Sequence, residues 1–177
     1  LKAFRYPTGG AVGTVRPLSN GASVYVDHLV STLSEEKPLA GQKVVLDCAN
    51  GAAYSVSPAA FEALGAEVVT LAVEPNGTNI NDGVGSTHPE KLQEAVIKHG
   101  ADMGIAHDGD SDRCQAVDEN GKLVDGDQIM AILAVAAKNA GTLAQDTLVA
   151  TVMSSLGLEL YLKEYGINLV RTGVGDR

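Results

Sequence analysis

Three short apolar runs, KVVLDCA at 43–49, AEVVTLAV at 66–73 and DMGIAH at 102–107, alternate with stretches whose apolar residues recur at helical spacing. This alternation constrains the chain more than any other feature. Strand-length runs that are apolar at nearly every position suit strands buried on both faces, and helices of about ten residues between them suit crossover connections. The expected fold class is therefore α/β: a three-layer α/β/α domain with a mixed, largely parallel sheet, followed by part of a second, similar unit. Ligands of such sheets bind at the carboxyl ends of the strands.

The spacing predicts helices over 22–36, with Asn20 or Ser23 as cap and Pro38 beyond, over 59–64 closed by Gly65, and over 90–99 closed by Gly100. Residues 1–20 hold Pro7, Gly9, Gly10, Gly13 and Pro17, which reads as a connecting strap. After residue 113 the pattern changes. RCQAVDENGKLVDG reads as a hairpin about Asn120-Gly121 with a type I′ turn. Beyond it come a helix over 127–139, the strand TLVATVM, the helical stretch SSLGLELYLKEYG and a last strand in INLVRTGVGDR. A domain boundary is expected near residue 120, giving units over 21–120 and 121–177.

Thirteen Lys and Arg against 22 Asp and Glu leave a net charge of −9, which makes nucleic acid and anionic membranes poor partners. The longest apolar run, IMAILAVAA, has nine residues, too few for a membrane helix. The first ten residues lack the pattern of a secretory signal, so a cytoplasmic location is expected, for a chain that starts at Leu and reads as truncated. Cys48 and Cys114 form no CxxC pair and read as free thiols.

The chemistry concentrates in HDGDSDRC, residues 107–114. Asp108, Asp110 and Asp112 fall on alternate positions directly after an apolar run. Carboxylates gathered this closely repel and raise one another's pKa, so a hard divalent cation with oxygen ligands is expected there. Arg113 contributes a single positive charge, either to a bound phosphate or to an ion pair within the loop. An EF-hand places Asp108, Asp110, Asp112 and Glu119 at ligand positions, but Arg113 stands where that loop needs glycine and the flanks read as strands. A phosphotransferase with Asp108 as nucleophile, Asp110 as acid/base and Ser111 on phosphate is a further rival, as is a noncatalytic metal-binding module.

Other polar residues have simpler readings. Thr87 and Glu90 fit a capping box around His88. His107 points away from the aspartates on the opposite strand face and should be packed or hydrogen-bonded. His28 and His99 lie on helices without evident partners. Asp125 and Asp127 flank a helix start, where Asp is a good N-cap.

Taken in order along the chain, TGGAVGTV, LDCANGAA, PNGTNINDGVGSTHPEKL, DGDSDR, VDGDQIM, TVMSSLG and TGVGDR resemble the α-D-phosphohexomutase family, and within it the bacterial phosphoglucosamine mutases. The resemblance implies a chain that runs from the strap leaving a first domain, residues 1–20, through the second domain and into the third. It implies Mg²⁺ held by Asp108, Asp110 and Asp112, and Arg113 as a catalytic residue. Asp176 and Arg177 are placed in a substrate-binding loop, and the substrate is a phosphosugar, glucosamine phosphate. A homodimer of the full-length protein is compatible with it. The family's phosphoserine stretch, of ASHN type, is not found among the 177 residues, and neither Ser86 nor Ser111 takes its place. Phosphomannomutase and phosphoglucomutase activities of the same family remain open alternatives.

Overall fold

The computed structural model describes residues 6–175. Asp176 and Arg177 lie outside that range.

Strand β1 (Lys43–Asp47) is the centre of the first unit. It pairs in parallel with β2 (Glu67–Leu71) on one side and with β3 (Met103–His107) on the other. β3 pairs antiparallel with β4 (Cys114–Asp118), and β4 with the short β5 (Leu123–Val124), giving the order β2-β1-β3-β4-β5. The apolar run of β1 is continuous because both faces are covered. Val45 packs with Leu92, Ala95, Val96, Ala106 and Val117 beneath one helix layer. Val44, Leu46 and Cys48 pack with Ala53, Phe61 and Val68 beneath the other.

The helices are α1 (Gly21–Ser31), α2 (Val56–Ala63) and α3 (Glu90–His99). The expected three-layer arrangement is present, with α3 on one face and α2, backed by α1, on the other. Three local readings need correction. Helix α1 ends at Ser31 and does not run to residue 36, because the Ser31 and Thr32 hydroxyls each donate at 2.7 Å to the carbonyl three residues back, competing with a further turn. The Thr87–Glu90 capping box is absent. The helix is capped at Pro89 without a side-chain bond, since Thr87 as N-cap would require helical dihedrals at His88, which precedes proline. The 118–122 hairpin has positive φ at Gly121 (75°) but not at Asn120, so it is not type I′. Asp118 N donates to Lys122 O, Gly121 N donates to Asp118 O, and the Asp118 side chain accepts from Asn120 N and Lys122 N. That pattern is the three-residue loop with glycine in the left-handed position.

The second unit holds α4 (Gly126–Asn139), β6 (Thr147–Thr151), α5 (Leu156–Glu164) and β7 (Asn168–Thr172). β6 and β7 are parallel. One face of this pair is covered by α4 and α5, whose Ala131, Ala134, Leu158 and Leu162 cluster with Ile167, Leu148 and Leu169, while Val149 and Val170 on the opposite face are exposed. Asp125 is the α4 N-cap as expected and forms a capping box with Gln128. Asp127 instead reaches across to accept from Ser155 N at 2.8 Å, joining the starts of α4 and α5.

Candidate metal centre

β1, β2 and β3 run parallel, so the turns that leave their carboxyl ends emerge along one edge of the sheet. Asp108 follows β3 directly at this edge, and the loop turns back into β4 at Cys114. One oxygen from each of Asp108, Asp110 and Asp112 can be chosen so that all three lie within 4.8 Å of one another. Asp110 and Asp112 are exposed, whereas Asp108 is 1% exposed.

Arg113 is wrapped around Asp108. Its backbone N–H donates to Asp108 Oδ1 at 3.1 Å and its Nε to Oδ2 at 2.7 Å, with Asp112 Oδ1 3.5 Å from the same Nε. The ion pair within the loop is therefore formed, although the Arg113 side chain is still 69% exposed. Each Asp108 oxygen accepts one of these bonds and keeps a further lone pair, so the pairing with Arg113 is compatible with a cation bound at the same carboxylate. The loop is flanked by strands and not helices, as the argument against an EF-hand requires.

The charges in the loop are strained against one another. Burial works to push the Asp108 carboxyl up, but the Arg113 N–H, the guanidinium and a hydrogen bond shared with Asp112 outweigh it and hold Asp108 below the usual carboxylate range. Asp112 is pushed up, first by that shared hydrogen bond, then by slight desolvation and by the negative charges of Asp110 and Asp108, against the opposing charge of Arg113. Three hard oxygen donors that come within 4.8 Å of one another fit a divalent cation.

Backbone contacts place the loop. His107 O accepts from Ser86 N at 2.8 Å, and Gly109 O accepts from Ala52 N at 2.8 Å, so the residues on either side of Asp108 are each bonded to a neighbouring loop. These approaches need glycine: a Cβ on Gly51 would stand 2.3 Å from Gly109 O, and one on Gly85 would stand 2.6 Å from His107 O. Asp47, which the sequence reading passed over, is completely buried at the end of β1 and accepts from Ala49 N at 2.9 Å and Gly85 N at 2.8 Å. Its only outward signal is an acid closing an apolar run.

The other singled-out residues lie apart from the aspartates or serve packing. The His107 ring is hydrogen-bonded to Ser57 Oγ at 2.9 Å, and burial lowers its pKa against the opposing charges of Asp108 and Asp47. Burial, with Asp47 adding to it, pushes the Cys48 thiol up to about 12, while Cys114 is exposed, and both are free. Ser86 is buried, and Ser111 holds the loop turn with φ 64° and its N–H donated to Asp108 O at 3.1 Å.

Comparison with known proteins decides the family. The model for the phosphoglucomutase/phosphomannomutase alpha/beta/alpha domain II matches residues 23–121, and that for domain III matches residues 125–177. The chain belongs to the phosphoglucomutase/phosphomannomutase family. Within this family it is 58% identical over 171 residues to a phosphoglucosamine mutase of Rhodococcus erythropolis, covering 97% of this chain and 38% of that protein. It is 60% identical over 171 residues to a phosphoglucosamine mutase of Symbiobacterium thermophilum, with the same coverage, 97% and 38%. The crystal structure of a phosphoglucomutase/phosphomannomutase family protein from Burkholderia thailandensis superposes with a TM-score of 0.72 at 28% identity, over 87% of this chain and 33% of that one. The chain thus spans well under half the length of the phosphoglucomutase/phosphomannomutase relatives it matches.

Proposed function

We propose that this chain is the part of a phosphoglucosamine mutase that supplies its Mg²⁺ loop, in a cytoplasmic isomerase interconverting glucosamine 6-phosphate and glucosamine 1-phosphate. The observation that carries the reading is the convergence of Asp108, Asp110 and Asp112 at the carboxyl edge of the sheet. It occurs in a chain 58% and 60% identical to proteins of that name. In that enzyme residues 1–20 are the strap from a first domain; the boundary expected near residue 120 falls a few residues later, because β5 (Leu123–Val124) still belongs to the first sheet, so the second domain runs through Val124 and the third begins at α4.

The reaction is a double phosphoryl transfer. A phosphoserine elsewhere in the enzyme gives its phosphoryl group to O1 of glucosamine 6-phosphate, and the resulting 1,6-bisphosphate returns the phosphoryl on O6 to the serine, leaving glucosamine 1-phosphate. Such transfers ask mainly for positioning and charge neutralisation. Asp108, Asp110 and Asp112 would hold Mg²⁺, which supplies a counter-charge to the transferring phosphoryl group when bound. Arg113 keeps Asp108 ionised through Nε and presents the exposed remainder of its guanidinium to a phosphate oxygen. On this reading Asp176 and Arg177, outside the described residues, are substrate-binding residues. The net charge of −9 argues against nucleic acid as a partner and makes local cations necessary for an anionic substrate.

The test replaces the corresponding stretch of the Symbiobacterium thermophilum enzyme with this chain. The folded chimera should convert glucosamine 6-phosphate in a Mg²⁺-dependent way, and Asp110→Asn should remove most of that turnover. A folded chimera that prefers glucose or mannose phosphate would assign the chain to the other mutases of the family. One that turns over nothing, or is indifferent to metal, would contradict the proposal.

A further inference from the structure

We infer that Asp47 is a positioning residue for the aspartate loop and sets its affinity for a divalent cation. The inference rests on the metal-loop reading above and adds a residue from a different strand to it.

Asp47 is 0% exposed and, among the described residues, forms no salt bridge. Burying a carboxylate without a cation is costly unless its oxygens are hydrogen-bonded. Here the two oxygens are used separately. Oδ1 accepts from Ala49 N in the turn after β1, and Oδ2 accepts from Gly85 N, 38 residues away in the loop before α3. The two segments joined in this way are the ones that grip the backbone on both sides of Asp108. The Gly85–Ser86 segment holds His107 O through Ser86 N, and the Ala49–Ala52 turn holds Gly109 O through Ala52 N. The turn and the loop also meet directly, since a Cβ on Gly85 would lie 2.7 Å from Ala49 Cβ and Asn81 N donates to Ala49 O at 2.9 Å.

A carboxylate is the small side chain able to do this. Asn in the same place keeps one acceptor and turns an NH₂ group toward the second backbone N–H, so one of the two segments is released. The segment released no longer fixes its side of Asp108, and the ligand separation loosens. Residues that orient metal ligands without touching the metal commonly change affinity by about 10- to 100-fold when altered.

The experiment is titration of the 177-residue chain with Mn²⁺ alone, well below the melting temperature of each variant, with melting curves of the metal-free proteins recorded alongside. Asp47→Asn should raise the Mn²⁺ dissociation constant by about 10- to 100-fold. Leu162→Ala, in the hydrophobic cluster of the second unit, should lower the melting temperature and leave the dissociation constant where it was. If Asp47→Asn does not fold, Gly85→Ala keeps Asp47 and presses on His107 O and Ala49, and it should weaken Mn²⁺ binding in the same way. Unchanged affinity in the folded Asp47 variant, or in the Gly85 variant should it be needed, overturns the inference. So does an equal loss in Leu162→Ala, which would make the effect one of general stability. A wild-type chain that binds no Mn²⁺, or binds it as well after Asp110→Asn, overturns the metal-loop reading itself and this inference with it.

Discussion

Asp108, Asp110 and Asp112 carry like charges in one loop, yet their surroundings give them different consequences. Asp110 has no cationic partner at salt-bridge distance among the described residues and contributes to the repulsion that raises Asp112. Asp110→Asn should therefore leave the metal-free melting temperature unchanged or higher, and weaken Mg²⁺ or Mn²⁺ binding at least about tenfold, read by calorimetric titration. Marked loss of metal-free stability would mean that Asp110 is structural. Asp108 is the opposite case. It is buried and is the acceptor for both Arg113 bonds, so Asp108→Asn should cost about 1–3 kcal/mol in denaturant unfolding even without metal. The alternation of the three aspartates made the triad legible in the sequence. The Arg113 pairing was visible only as one of two options, because spacing does not say which partner a long side chain meets. Asp47 was not legible at all, since its two hydrogen-bond donors sit in loops 2 and 38 residues on.

At the scale of elements, strong periodicity was readable and termini were not. β1, β2, β3 and the alternation of helices between them follow from apolar runs whose faces must both be buried. The ends depended on competitors that a periodic pattern does not carry: two hydroxyls at the close of α1, a proline at the start of α3, and a glycine that fixed the hairpin type. Packing of α3 rests on Leu92, fully buried against β1, β3 and β4 residues, and Leu92→Ala should destabilise the first unit by about 3 kcal/mol, measured by denaturant unfolding. The junction of α4 and α5 rests on Asp127. Its pKa is lowered first by the Ser155 N–H and then by the Ser155 hydroxyl, against opposing burial, with Ser154 and Arg171 assisting. A lowered folded-state pKa means that the ionised form stabilises. The contribution is complete above the unfolded value of about 3.9 and disappears as pH falls through the folded value. Hydrogen exchange of the α4 and α5 amides should then show wild type better protected than Asp127→Asn near neutral pH, with the difference closing on acidification below about pH 4. A difference that grows toward acid would contradict this account of the junction.

On the scale of the whole molecule, the two units differ in how completely they enclose themselves. The first has a five-stranded sheet covered on both faces, whereas the second has two strands with Val149 and Val170 exposed on one side. The aspartate loop belongs to the first, and what steadies it comes from turns of that same unit. The chain spans 38% of the length of the phosphoglucosamine mutases it matches. On the proposed mechanism, incubation of this chain alone with glucosamine 6-phosphate and a hexose 1,6-bisphosphate should give no glucosamine 1-phosphate, followed by phosphorus NMR. Turnover by the isolated chain would show that it needs no serine from elsewhere. The measurement that reaches the central claim most directly is a crystal of the chain grown with Mn²⁺ and phased for anomalous signal. The account predicts one strong peak bounded by carboxylate oxygens of Asp108, Asp110 and Asp112. Those three side chains turned apart into solvent, with no peak between them, would contradict it.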